Sequence, residues 1–138
     1  MCMVDGLDDR ASVWNESSQK ARKPHKCEEC NRVIEVGEVY CRVWAISGDG
    51  PFTAKWCAHC DVAKDWLWEN CGGSVISAVQ EDIQEHISDY RGDAICVPRL
   101  KRLDVGMSRK WRVARGPRKG HLMPIPRLPA KLEPKHAH

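Results

Sequence analysis

The sequence predicts a small α+β domain on three observations: two C-x2-C pairs 26 residues apart, a strand–turn–strand pattern filling the gap, and an apolar stripe of four-residue period beyond the second pair. A length of 138 residues suits one modest domain with tails. Hydrophobic residues make up 42%, with the bulk concentrated in six Trp against a single Phe. A chain so thin in aliphatic residues gains from a metal staple.

The elements follow in order. Residues 1–19 are acidic, without sustained periodicity, and read as a mobile arm with a docking turn at Val13-Trp14. The basic stretch KARKPHK leads into CEEC, Cys27 to Cys30. Asn31 follows, where a tight Cys knuckle needs a residue tolerant of positive φ. Val33 to Val36 reads as a short strand and Gly37 as a turn. Glu38 to Ile46 is β-branched and aromatic, with Val39, Cys41, Val43 and Ala45 on one face and Tyr40, Arg42, Trp44 and Ile46 on the other. Ser47-Gly48-Asp49-Gly50 is a turn signal. Phe52 to Trp56 returns as the partner strand, which places Pro51 on a sheet edge.

The second pair, CAHC, Cys57 to Cys60, opens a helical pattern that Gly72-Gly73 ends. A second helix is expected over 74–90, where Val75, Val79, Ile83 and Ile87 form the stripe. Ala94 to Val97 reads as a short strand, and 98–125 as a basic segment. There Met107 to Ala114 and His121 to Ile125 form a hairpin-like pair packed on the finger. The last stretch, 126–138, is Pro-rich and reads as extended. The expected division is therefore an arm (1–19), a zinc-finger domain with two helices (20–97), the basic segment (98–125) and a tail (126–138).

A two-residue gap lets both sulfurs of a knuckle reach one tetrahedral ion at about 2.3 Å. Cys27, Cys30, Cys57 and Cys60 are the predicted ligands of one structural Zn²⁺. Four thiolates leave the ion no open position for water, so the site is structural rather than catalytic. Cys57 and Cys60 at a helix start gain from unsatisfied N–H groups and the helix dipole, which lower a thiol's pKa. Lys26, Arg32 and Lys55 lie close enough in sequence to offset the charge. His25 and His59 are rival ligands that would break the spacing. The other four Cys (2, 41, 71 and 96) read as buried thiols; a second metal site built on Cys71, Cys96 and His86 matches no knuckle spacing. Met1 to Arg10 has no apolar run, so no secretory leader is expected, and no stretch approaches a membrane span of about 18 apolar residues. The expected setting is a reducing cytoplasm.

Knuckle, hairpin, knuckle and helix in this order resemble a treble-clef finger. Along CEECNRVIEVGEVY…KWCAHC the layout is similar to the fingers of poly(ADP-ribose) polymerase type. Those use His as the third ligand where this chain has Cys57, and they recognise DNA ends. Over 20–128 the phrases ARKPHKCEEC, KWCAHC and VGMSRKW…LMPIPRLP resemble short zinc-finger proteins of tailed bacteriophages. That resemblance implies the cytoplasm of a bacterial host and a folded role for 100–128.

Charge divides the chain. Residues 1–96 hold 10 Lys/Arg against 17 Asp/Glu, and 97–138 hold 12 against 2. Such a split points to an anionic partner for the basic end or to docking on the acidic part. The preferred reading is a non-catalytic zinc-binding module, a phage regulator or inhibitor that binds a host protein or a protein–nucleic-acid complex. The alternative is a DNA- or RNA-binding protein in which Arg109, Lys110, Arg112, Arg115, Arg118 and Lys119 meet phosphates and Trp111 stacks on a base. A metal-dependent nuclease is disfavoured because the hairpin, 38–56, contains no His. A homo-oligomer through the stripe is a further expectation.

Overall fold

The computed structural model describes residues 13–72, 76–89 and 96–127. The architecture is α+β. A three-stranded antiparallel sheet is formed by β1 (Val13–Lys20), β4 (Val39–Ser47) and β5 (Gly50–Cys57), in the order β1-β4-β5. A small ladder pairs β2 (His25–Lys26) with β3 (Val33–Ile34). Three helices follow: α1 (Ala58–Cys71), α2 (Val79–Asp89) and α3 (Cys96–Ser108).

The hairpin forms as the alternation requires. Ser47 pairs with Gly50 across Gly48-Asp49, and Gly50 takes φ 108°. Cys41, Val43 and Ala45 are buried under α1 with Ala54 and Trp56, while Trp44 on the reverse face is exposed. Pro51 lies on β5, an edge strand, where its missing N–H costs no ladder bond.

The arm is the first correction. Residues 13–19 belong to β1, paired with β4 from Val13↔Ile46 to Lys20↔Val39. The polar composition that suggested a free arm is that of an edge strand exposed along most of its length. Two contacts hold it down. Trp14 packs among Phe52, Trp56 and Trp68. Glu16 takes a 2.7 Å bond from Lys64 Nζ, a lysine buried in α1 that also reaches Asp61 and Asp65. Residues 1–12 lie outside the described residues.

α1 begins with Cys57 as N-cap and ends with Gly72 at φ 78°, whose N–H bonds to Leu67 O. α2 starts at Val79, later than expected. The Glu29 carboxylate accepts from Ser77 N (2.8 Å) and Val79 N (3.1 Å) and so caps the helix across 50 positions of sequence. Val75 lies outside the described residues. Val79 and Ile83 are fully buried within the chain and Ile87 is partly buried against the core.

The segment from 96 onward is the second correction. Residues 94 and 95 of the expected strand lie outside the described residues; from Cys96 to Ser108, where the strand's end and the start of a basic hairpin were expected, the chain is helix, with Leu100, Leu103 and Met107 buried at helical spacing. Pro98 falls in the first turn, where its missing N–H had no partner to lose. Gln80 and Gln84 of α2 tie to Asp104 of α3. The hairpin survives as one bridge, Arg112↔Leu122, closed by Val113 N→His121 O and Gly120 N→Val113 O. Of the Pro-rich tail, only residues 126 and 127 are among those described. None of the described helices is long and apolar enough to cross a membrane.

Candidate metal centre

The first knuckle turns between β2 and β3. Cys27 N bonds to Arg32 O and Asn31 N to Cys27 O, and Asn31 adopts the expected left-handed φ of 63°. The second knuckle joins the end of β5 to the first turn of α1. A bond from Glu28 N to Lys55 O brings the two together. All four sulfurs, from Cys27, Cys30, Cys57 and Cys60, are buried and lie within 4.8 Å of one another.

The geometry fits one zinc ion. A tetrahedral centre with ligands at about 2.3 Å sets its sulfurs about 3.8 Å apart. Cys30 Sγ and Cys57 Sγ are 3.9 Å apart. The sulfurs also receive N–H donors as thiolates do: Cys57 N to Cys27 Sγ and Cys60 N to Cys57 Sγ, each at 3.4 Å. Bonds among the sulfurs drive Cys57 and Cys30 toward the thiolate and hold the Cys27 and Cys60 thiols high. Four such groups cannot all ionise together without a cation among them.

Three residues form the surrounding layer: Arg32, which the sequence offered as a charge partner, and Trp111 and His59, which it offered in other roles. Trp111 is buried and donates Nε1–H to Cys60 Sγ at 3.2 Å. It reaches that place because Lys110 and Trp111 both adopt left-handed φ, 53° and 60°, at a cost of about 1–3 kcal/mol each. Its ring lies on Gly106, where any Cβ would collide with it. His59 packs against Trp111 with ring centroids 5.3 Å apart, and its Nε2 is 2.6 Å from Met123 O. That contact makes His59 a strut between the second knuckle and the C-terminal segment, outside the four-sulfur set. Arg32, also buried, grips Glu38 with two bonds of 3.0 and 2.9 Å. Burial disfavours its charge, yet Glu38 and the negative Cys57 hold its pKa above the ordinary arginine value. It is thus the member of the expected trio, Lys26, Arg32 and Lys55, that offsets the sulfur charge.

Trp111 as a base-stacking residue is therefore corrected: its indole is committed to the metal centre. The rest of the predicted partner surface is accessible. Arg109, Lys110, Arg115, Arg118 and Lys119 are exposed and Arg112 half-buried on the loop that follows α3. Of the remaining Cys, Cys41 is a buried thiol pushed up to about 12 by burial. Cys71 departs from expectation: it is disulfide-bonded, which removes it as a metal ligand. Cys2 and the Cys96 side chain lie outside what is described. Comparison of the chain with protein-family models, with curated proteins and with solved structures finds no match.

Proposed function

We propose that this chain is a non-catalytic interaction module built on a treble-clef-type Zn²⁺ site, a phage-encoded regulator that engages a protein–nucleic-acid complex of the bacterial host. The observation that carries the reading is the enclosure of the four sulfurs beneath Trp111 and His59. Four thiolates complete a tetrahedral ion, and the indole over Cys60 covers the centre. Such an ion organises surfaces rather than activating water. The exposed loop bearing Arg109, Arg115, Arg118 and Lys119 supports a partner rich in phosphate. The phage assignment rests on the resemblance at ARKPHKCEEC, KWCAHC and VGMSRKW.

The test is capture from bacterial lysate with the zinc-loaded chain, at low and high salt and with or without nuclease treatment. The expected result is a retained host protein whose recovery falls when nucleic acid is digested or salt is raised. Metal-dependent cleavage of DNA or RNA by the pure protein would overturn the non-catalytic reading. Identical recovery with a chain in which all four ligands are Ser would overturn the role of the metal.

A further inference from the structure

The basic stretch before the first knuckle does more than lead into it. Where β1 ends, the chain turns beside β4 and leaves an open cleft of about 580 Å³. Four permanent cations line it: Lys20, Arg22, Lys23 and Arg42. No carboxylate lines it, and none of the four forms an ion pair among the described residues. The acidic side chains nearest in sequence, Glu16 and Glu38, are already held, by Lys64 and by both terminal nitrogens of Arg32. Tyr40, buried behind His25 with ring centroids 4.9 Å apart, forms an aromatic floor. Four cations facing one cleft, unpaired among the described residues, repel each other, and a polyanion relieves that cost.

Arg42, which lines the cleft, belongs to the outer face of the sheet, away from α1. Strand alternation puts Arg42 and Trp44 on that face, about 7 Å apart. Their cross-strand neighbours are Ser17 and Lys55 beside Arg42, and Asn15 and Thr53 beside Trp44, with no acidic residue among them. Trp44 is 40% exposed, and no packing need of the core explains an indole there. A cationic cleft with an uncovered aromatic plane two residues along the same strand is suited to a single strand, whose phosphates recur regularly and whose every base carries a π-face. An acidic peptide would use the cations and leave the indole idle.

We propose that the cleft beside β1 and β4 binds the phosphodiester backbone of a single-stranded nucleic acid, with an adjoining base stacked on Trp44. The site is separate from the metal centre and from the basic loop after α3. Its failure would leave the reading above standing.

The test uses the full zinc-loaded chain and fluorescence anisotropy with labelled oligothymidylate and oligouridylate. Four phosphate contacts give a log–log salt slope of about −2.8, so raising salt from about 50 to about 200 mM weakens binding about fiftyfold. Arg22→Gln with Lys23→Gln, both exposed, lowers the slope by about 1.4. Trp44→Ala weakens binding by about tenfold or more, with the slope unchanged. Neutralising Arg115, Arg118 and Lys119 leaves both effects in place. The proposal is overturned by failure to bind either oligonucleotide at low salt, or by cleft variants that bind like the parent. It is equally overturned if polyglutamate competes as well as the oligonucleotides, or if duplex binds as tightly with no dependence on Trp44.

Discussion

Replacing Trp111 with Phe isolates one interaction of the metal centre. Phe keeps an aromatic ring against His59 and gives up the outer edge of the indole that lies on Gly106, so much of the buried apolar contact survives. It loses the Nε1–H that reaches Cys60 Sγ at 3.2 Å. A hydrogen bond to a charged group contributes about 1.5–3 kcal/mol, and sulfur, a diffuse acceptor, belongs at the low end, about 1.5 kcal/mol. That is about a tenfold rise in the zinc Kd, in line with the effect of removing outer-layer partners at other metal sites. Competition with a chromophoric chelator at fixed pH measures it. Gly106→Ala tests the same contact from the other side: its Cβ collides with the indole, so the ring must leave and affinity must fall at least as far. Trp111→Phe and Gly106→Ala chains that both hold zinc with parental affinity would refute the claim that Trp111 acts on the metal.

Three further outcomes follow from other contacts. Cys57→Ser removes a ligand while leaving a hydroxyl to cap α1, so native mass spectrometry should show no bound zinc and near-UV circular dichroism should collapse; a compact chain without metal would contradict the structural role. Glu29→Ala orphans Trp56 Nε1 and the amides of Ser77 and Val79 and costs about 2–3 kcal/mol from a lost cap and unpaired donors; hydrogen exchange should speed first at the start of α2, and unchanged protection there would count against the cap. Lys64→Met leaves Glu16, Asp61 and Asp65 without their cation and costs about 2–3 kcal/mol, at the low end for a broken pair because the carboxylates keep water. Burial alone would raise the Glu16 pKa, but Lys64 and Trp14 outweigh it and the pKa is lowered. Lys64 is disfavoured by burial but raised by Glu16. A depressed carboxylate contributes above the ordinary carboxylate range and is lost as pH falls; a raised lysine contributes below the ordinary lysine range and is lost as pH rises. The Tm gap between parent and Lys64→Met should therefore be widest near neutral pH and narrow toward about pH 4; a gap constant with pH would exclude the ion pair as its cause.

The elements legible in the sequence were those set by short-range chemistry. The two knuckles, the left-handed Asn31, the hairpin around Ser47 to Gly50 and the Gly72 stop depend on neighbours within a few residues. What escaped depends on distant partners. β1 has the composition of a loose arm and becomes a strand because β4 offers it an unpaired edge. α3 was hidden by Pro98 and by a basic exterior that drew attention from Leu100, Leu103 and Met107. Trp111, read as a surface stacker among arginines, is turned inward by two left-handed residues that no local pattern announces. The cleft at Lys20 to Arg42 draws on strands 20 residues apart, and its cations are diluted in the acidic average of the first 96 positions.

The contacts around the sulfurs explain why so small a core holds three helices and a sheet. Each layer residue ties the centre to a different element. Glu29, inside the first knuckle, caps α2, and Arg32, just after it, locks Glu38 at the entry to β4. Cys60, in the second knuckle, accepts from Trp111 beyond α3, while His59 holds Met123 further on. These ties converge within a few residues of four atoms that repel each other without a cation. Zinc binding is then coupled to assembly of the whole fold, not of the finger alone. Loss of the ion should therefore expose α2, α3 and the loop after α3 in one step, seen as a single loss of hydrogen-exchange protection on chelation. Sequential loss, with α2 and α3 staying protected after the knuckles open, would mean that the helices stand on their own core and that the metal governs only the sheet.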